Sequence, residues 1–174
     1  MENTTISSKS QTFEYLPPNF ENIPDLLKEF PNFVLWRLVE RDGEMTKPPF
    51  QSKTGKLANV SNPATWSIFK EVMERYKKPQ GLKYRGIGFV LQKELGICAW
   101  DLDKCRNLET GVIEPWAEDI ITVTDSYTEI SPSGTGIRIF FKGTIPSSRK
   151  EGNIEIYDDK RYMTITGHVL NRDS

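Results

Sequence analysis

Two acidic residues, Asp101 and Asp103, follow directly on a stretch without charges that runs from Gly96 to Trp100. Such a stretch is typical of a buried strand. In an extended chain, residues two apart project from the same face, so this strand would present two carboxylates to one point. Carboxylates held close together repel each other unless a cation lies between them. The pair therefore indicates a divalent metal site, although Asp-x-Asp also occurs at solvated strand ends.

The ligand chemistry of such a pair is suited to Mg²⁺ or Mn²⁺. These ions usually take one or two protein carboxylates and complete their coordination with water and substrate phosphates. Nucleotidyl transfer is the reaction class that this ligand set indicates first. A calcium loop of the EF-hand type is excluded, because it would need an oxygen ligand at Cys105 and a glycine at Arg106.

A third acid, Glu155, lies within the otherwise apolar segment Ile154–Tyr157. Burial of a carboxylate there is costly without a partner, and a metal shared with Asp101 and Asp103 would supply one. The alternative is an edge strand that exposes Glu155 to water. Arg161, six residues further on, could pair with Glu155 or contact a phosphate or the template.

The segment 131–136 is rich in hydroxyl groups and glycine. Such a loop can turn backbone N–H groups toward an anion, because glycine accepts positive φ and lets a ligand approach closely. It is not a P-loop, since no Gly-Lys-Ser/Thr ends it, and a tight turn is the alternative. The candidate anion-binding residues of the loop are Ser131, Ser133 and Gly134.

Arg138 follows this loop and is flanked by Ile137 and Ile139. In a strand it would therefore point away from the face that the two isoleucines bury. A guanidinium in that position can hold a phosphate bidentately, although arginine on an exposed sheet face is a common alternative.

A loop between Met45 and Val60 carries three lysines, Lys47, Lys53 and Lys56. It could form a cationic wall for phosphates or template, or it could be an ordinary solvated loop.

The composition limits the class of protein. The chain has 174 residues, enough for one domain or two tightly fused halves, and its net charge of −1 excludes a global positive field. Two cysteines without zinc spacing argue against a disulfide framework and a zinc site, and a single histidine makes Ser-His chemistry improbable. No apolar run approaches the roughly 20 residues needed to span a bilayer, and the start lacks a signal peptide. We expect a cytoplasmic protein.

The pattern of apolar residues predicts a mixed α/β (α+β) fold with a largely antiparallel sheet. Residues 1–20 are expected to be flexible, and the strand at 86–91 is expected to form a hairpin with the acidic strand that follows it. The predicted helices begin near Asn22, Asn62 and Glu114, and the other predicted strands are 33–39, 126–130, 137–141, 154–157 and 162–166.

Five segments form an ordered series: Lys47-Pro48-Pro49, Gly86–Leu91, Asp101-Leu102-Asp103, Ser126–Gly134 and Ile154–Gly167. This series resembles the catalytic domain of phage and plasmid primase-polymerases in the archaeo-eukaryotic primase superfamily, from about residue 33 to residue 167. The resemblance implies a catalytic domain over 21–174, in which an N-terminal α/β module (21–84) packs on an RRM-like module (85–170). The active site would lie in the cleft between them.

The resemblance also implies a function: a template-directed DNA polymerase or primase that transfers dNTPs, or alternatively NTPs, to a primer 3′ end in the replication of a mobile element. Two Mg²⁺ or Mn²⁺ ions, but no zinc, would be bound. Its catalytic residues and metal ligands would be Asp101, Asp103 and Glu155. Its nucleotide-binding residues would be Ser131, Ser133, Gly134, Arg138, Lys47 and Arg161, and its nucleic-acid-binding residues Lys53 and Lys56. The implied partners are DNA template and primer, nucleoside triphosphates, and a primase accessory domain and helicase in cis or in trans.

One departure from the family pattern concerns Arg138. The second motif of the family often carries a histidine there, whereas arginine cannot exchange protons near neutral pH and would act by its charge. Two other functions stay open on the sequence. One is a non-catalytic single-strand nucleic-acid-binding module of a larger replication protein. The other is an Asp-x-Asp glycosyltransferase, which would leave the motifs after Ser126 unexplained.

Overall fold

The computed structural model of the chain describes residues 14–171, except for the side chain of Gln80. Most of the segment predicted to be flexible therefore lies outside the described residues. Its described part, before Phe20, forms no helix or strand but is held to the fold by backbone hydrogen bonds. The N–H of Leu16 donates to the carbonyl of Pro132 (2.9 Å), and the N–H of Asn19 donates to that of Thr166 (2.7 Å).

The helices and strands of the described residues alternate irregularly along the chain. Their order is α1 (Asp25–Lys28), β1 (Phe33–Trp36), β2 (Val39–Arg41), β3 (Glu44–Thr46), β4 (Pro49–Phe50), α2 (Phe69–Lys77), β5 (Gly86–Leu91), β6 (Ile97–Leu102), α3 (Pro115–Thr124), β7 (Tyr127–Ile130), β8 (Ile137–Lys142), β9 (Arg149–Glu151), β10 (Ile154–Tyr157) and β11 (Arg161–Ile165). None of the described helices is long and apolar enough to span a lipid bilayer.

The first sheet, here called sheet one, has the strand order β11-β5-β1-β4, and its pairs are antiparallel. Every residue of β1 and of β5 is buried, as expected for apolar runs in the centre of a sheet covered on both faces. Gly88 of β5 has a packing role, because a Cβ there would collide with the ring of Tyr162 on β11. Glycine thus allows the ring of Tyr162 to approach the backbone of β5 closely.

The second sheet, sheet two, has the order β7-β8-β6-β10-β9 and is also antiparallel. Alternation along its strands gives it two distinct faces. One face packs against α3 through Leu102, Ile137 and Ile139. The other face joins the core of sheet one through residues such as Ala99 and Phe140. Sheet two therefore lies between α3 and sheet one.

The mixed α+β class with antiparallel sheets is confirmed, and so are the predicted strands of the C-terminal half. A turn at Arg41–Glu44 joins β2 and β3, with positive φ at Asp42 (52°) and Gly43 (82°). The type I′ hairpin turn requires this conformation at both central residues.

The predicted hairpin of β5 and β6 is wrong. β5 pairs with β1 and β11 in sheet one, whereas β6 pairs with β8 and β10 in sheet two. Between them, a 3-10 turn over Lys93–Leu95 ends at Gly96, whose left-handed conformation (φ 61°) redirects the chain into the other sheet. Sheet one thus takes strands from both of the ranges 21–84 and 85–170, and residue 85 does not separate the two sheets.

Candidate active site

A row of charged residues crosses sheet two on the face turned toward sheet one. The strand register places five residues directly opposite one another, in the order Glu129, Arg138, Asp101, Glu155 and Lys150. Four of them are almost fully buried, with relative exposures of 0% for Glu129, 3% for Glu155, 7% for Arg138 and 8% for Asp101. Such burial is unusual for charged side chains and requires paired partners.

Asp101 is the centre of this row. Its Oδ1 contacts Nη1 of Arg138, which also lies 3.8 Å from Oδ1 of Asp103, but Oδ1 of Asp101 has no hydrogen-bond partner of good geometry. Burial raises the pKa of Asp101 to about 6; Arg138 opposes this shift, and the carboxylates of Asp103 and Glu155 add to it. A cation bound beside these carboxylates would favour the ionised form of Asp101.

Glu155 is held by three side chains. Lys150 and the hydroxyl of Tyr157 donate hydrogen bonds to its carboxylate, and Nη2 of Arg161 lies 3.4 Å away. Burial acts to raise the pKa of Glu155, but the hydrogen bonds from Lys150 and Tyr157 outweigh it, so the pKa is lower than usual. Strand β10 is flanked by β6 and β9, so Glu155 does not lie on an exposed edge strand. It is an ionised carboxylate beside Asp101.

Glu129, at the other end of the row, ties the two sheets together. Its carboxylate accepts hydrogen bonds from the backbone N–H groups of Thr166 (2.8 Å) and Gly167 (2.8 Å), just after β11, and from the hydroxyl of Tyr127 (2.7 Å). Burial raises the pKa of Glu129 to about 7, against the lowering effect of these hydrogen bonds and of Arg138. Glu129 therefore binds a proton more readily in the folded protein than in the unfolded chain.

This shift predicts an inverse pH dependence of stability. Because the pKa of Glu129 is about 7 when folded and near 4.5 otherwise, stability that is present at low pH is lost as the pH rises through 7. We expect the free energy of unfolding in urea, measured with a chelator, to fall by about 2 kcal/mol from about pH 5.5 to pH 8 through this group. Glu129→Gln should flatten the dependence, whereas Glu109→Gln at an exposed site should not. An unchanged slope in Glu129→Gln would contradict this assignment.

A cleft of about 600 Å³ opens between the two sheets, beside the charged row. It is lined by Arg41, Thr46, Lys47, Pro48, Val60, Asp101, Arg138, Lys160, Arg161, Tyr162, Met163 and Thr164. Five of these side chains are cationic and one is acidic. The cleft is thus a positively charged space with a carboxylate in its wall, an arrangement that suits a polyphosphate.

Lys47 enters this cleft from between two aromatic rings. Its Nζ lies 5.2 Å from the ring centre of Tyr15 and 5.8 Å from that of Trp36, within the range of cation–π attraction. The hydroxyl of Tyr162 donates to the Lys47 carbonyl. Burial, together with the nearby Arg138, lowers the pKa of Lys47. The ammonium is therefore positioned and partly desolvated before any ligand binds.

The structure places the predicted residues in three groups. Asp101, Asp103, Glu155, Arg138 and Arg161 are brought together, and Lys47 lies in the same cleft as Asp101 and Arg138.

The second group is the loop 131–136, which does not contribute to the lining of the cleft. Its hydroxyls bond to one another, Ser131 to Ser133 (3.1 Å) and Ser133 to Thr135 (3.0 Å), and Oγ of Ser131 accepts from the N–H of Gly136 (3.0 Å). Gly134 has positive φ (77°), and its carbonyl accepts from Arg106 (2.9 Å). In this structure the hydroxyls therefore stabilise the turn.

The third group is Lys53 and Lys56, which also lie outside the cleft lining. Nζ of Lys53 is 3.5 Å from Glu71 on α2.

Sequence reasoning missed the residues that hold the site, namely Glu129, Lys150 and Tyr157. Period-two alternation places Tyr157 on the face of Glu155 and could have identified it, but Lys150 lies on a short, exposed strand without an apolar pattern.

The donor chemistry of the row fits a hard divalent cation. Asp101 and Glu155 are direct cross-strand neighbours, and Arg138 lies near both Asp101 and Asp103. Burial is the largest cause of the raised pKa of Asp101, and the neighbouring carboxylates add to it. No three His, Cys, Asp or Glu side chains of residues 14–171 converge closely enough to hold one ion, and Arg138, Lys150 and Arg161 contact these carboxylates. The residues therefore match Mg²⁺ or Mn²⁺ in donor type, whereas their present placement leaves the carboxylates paired with cationic side chains.

Comparison with known proteins supports the resemblance seen in the sequence. No family model matches the chain. A DNA primase-polymerase of Nitratiruptor phage NrS-1 is 34% identical in an alignment of 155 residues that covers 83% of this chain and 20% of that protein. The chain thus spans about 20% of the length of the curated relative that it matches.

Proposed function

Because the chain contains a phage primase-polymerase domain, we propose that it is the catalytic domain of a template-directed nucleotidyltransferase. It would extend a DNA primer from dNTPs, or from NTPs, during replication of a phage or related mobile element. DNA template, primer and nucleoside triphosphates would be its partners, with an accessory domain and a helicase in cis or in trans. The observation that carries the proposal is the side-by-side placement of Asp101 and Glu155 next to a cationic cleft.

We also propose that the two sheets correspond to the two modules of the archaeo-eukaryotic primase fold. The cleft between them would then be the active-site cleft of the family. The module boundary would follow the sheets rather than residue 85, since β5 and β11 belong to sheet one.

Each charged residue has a distinct role in this proposal. Asp101, Asp103 and Glu155 would hold two Mg²⁺ or Mn²⁺ ions, which supply activation of the primer 3′ oxygen and charge neutralisation on the phosphates. Arg138 and Arg161 would bind phosphate oxygens through their guanidinium groups.

Lys47 would add a point charge in the same cleft, held in place by the rings that flank it. The roles of Ser131, Ser133 and Gly134 in triphosphate binding, and of Lys53 and Lys56 in nucleic-acid binding, stay predictions. In the loop, the backbone N–H groups of Ser131 and Gly134 also donate within the turn, to the carbonyls of Gly136 (2.8 Å) and Ser131 (2.9 Å), so a triphosphate would compete with these bonds.

The proposal is tested by primer extension. A labelled primer on a longer template, incubated with dNTPs or NTPs and Mg²⁺ or Mn²⁺, should be extended to the template end, and omission of the template should abolish extension. Retention of the DNA without extension, at enzyme in excess over primer, would instead identify a non-catalytic nucleic-acid-binding module. The same titration reports the preferred sugar and the preferred metal.

A further inference from the structure

Two exposed cations line the candidate cleft without a strong partner of their own. Nε of Arg41 lies 4.0 Å from Asp42, and Nζ of Lys160 lies 3.9 Å from Asp159. The side chains of Arg41 and Lys160 are 81% and 71% exposed. Ion pairs of this length at the surface contribute little. Both cations are therefore available to a ligand that enters the cleft.

Arg41 is presented by a two-stranded ribbon that stands apart from both sheets. Among the described residues, β2 and β3 pair only with each other. Register places Arg41 opposite Glu44 and Val39 opposite Thr46, and Oγ1 of Thr46 donates to the Val39 carbonyl (2.9 Å) at the base of the ribbon. Arg41 and Thr46 both line the cleft, so this face of the ribbon is turned toward it. No ion pair joins Arg41 and Glu44 in the described structure.

Lys160 is presented by a second turn, between β10 and β11. It has a positive φ of 49°, and its N–H donates to the carbonyl of Leu91 (3.0 Å), which anchors the turn on sheet one. The turn directly precedes Arg161, one of the proposed triphosphate ligands. Lys160 thus extends the cationic lining outward from the phosphate site.

The charge of the cleft exceeds what one triphosphate requires. Its lining carries five cations, and Asp101 is the one acid among its described residues. The proposed function uses Lys47, Arg138 and Arg161 for the nucleotide. The two cations that remain are the most exposed and the least paired, which is typical of contacts to a sugar–phosphate backbone.

We propose that Arg41 and Lys160 bind backbone phosphates of the primer–template at the candidate cleft. The inference rests on the proposed function and names the surface through which the nucleic acid is held. Lys53 and Lys56, which the sequence favoured for this role, lie outside the cleft lining.

The test is equilibrium binding of a fluorescently labelled primer–template, followed by anisotropy with chelator present and no nucleotide. Arg41→Gln and Lys160→Gln should each weaken binding about three- to tenfold at low salt, and each should reduce the slope of log K against log[salt] by about 0.7 to 0.9. Lys70→Gln is the matched control, because Lys70 is exposed, lies 4.0 Å from Glu74 and is outside the cleft lining. It should bind as the wild type does.

Wild-type affinity and slope in the Arg41→Gln, Lys160→Gln double variant would overturn the inference. An equal loss in Lys70→Gln would also overturn it, since binding would then follow overall charge. The experiment needs no catalysis, so its outcome is separable from that of the proposed function. Weakened DNA binding in an enzyme that never extends a primer would uphold the binding surface and reject the polymerase. Primer extension by the wild type, with unaltered DNA binding in the variants, would uphold the polymerase and reject the binding surface.

Discussion

Replacement of Asp101 by asparagine should lower dNTP incorporation about a thousandfold or more, equivalent to roughly 4 kcal/mol of lost transition-state stabilisation. Asparagine keeps the shape of the side chain but removes the charge that a divalent cation requires. The fold should persist, because Asp101 lies in a buried position where ionisation is already disfavoured. The melting temperature should therefore stay close to that of the wild type. Single-turnover primer extension and thermal unfolding measure the two quantities on the same preparation.

Asp119→Asn is the matched control for this variant. Asp119 is exposed on α3, and α3 packs on the face of sheet two opposite the charged row. The same chemical change there should leave incorporation and melting temperature unaltered. The combined change of Asp101 and Asp103 to alanine should also abolish incorporation with little effect on the melting curve. Full activity in that double variant would remove the polymerase proposal.

Replacement of Arg138 by methionine should raise the KM for dNTP about a hundredfold, which corresponds to about 2.7 kcal/mol of lost binding. A guanidinium can hold two phosphate oxygens at once, whereas methionine preserves the apolar stem alone. The change also deprives Asp101 and Asp103 of their shared cation. Steady-state kinetics at saturating DNA, with either Mg²⁺ or Mn²⁺, measure this effect.

Arg138→Lys keeps the charge without the planar fork and should recover part of the lost affinity. It also serves as the informative variant if the uncharged one folds poorly. A normal KM with a reduced kcat in both variants would contradict a phosphate contact. Arg138 would then act through the carboxylates of Asp101 and Asp103 instead.

The face of the sheet on which the key residues lie could be predicted from the sequence, because it depends on local alternation. Arg138 between two isoleucines and Asp101 two residues from Asp103 occupy the face that their neighbours imply. Their lateral order could not be predicted. Glu155 pairs with Asp101 across 54 residues of chain, and such pairing is decided by the whole packed sheet.

The wrong hairpin prediction and the unpredicted placement of the lysines have the same physical origin. The spacing of β5 and β6 suggests a hairpin, yet both strands have better partners elsewhere, and Gly96 permits the reversal between sheets. Of the three lysines in the loop between Met45 and Val60, Lys47 lines the cleft, whereas Lys53 pairs with Glu71 of α2. Local composition identifies the charged residues, but the tertiary structure determines which of them face the same cleft.

The interleaved order of strands has a consequence for how this domain can be inherited. The chain visits sheet one, crosses to sheet two, and returns to complete sheet one with β11, next to the central strand β5. Sheet two comes from one continuous length of coding sequence, from β6 to β10, whereas sheet one is divided, with β1, β4 and β5 before that length and β11 after it. Recombination that replaced either predicted half alone would separate β5 and β11 from β1 and β4. Sheet one should therefore be inherited only together with the segment of sheet two that its strands enclose.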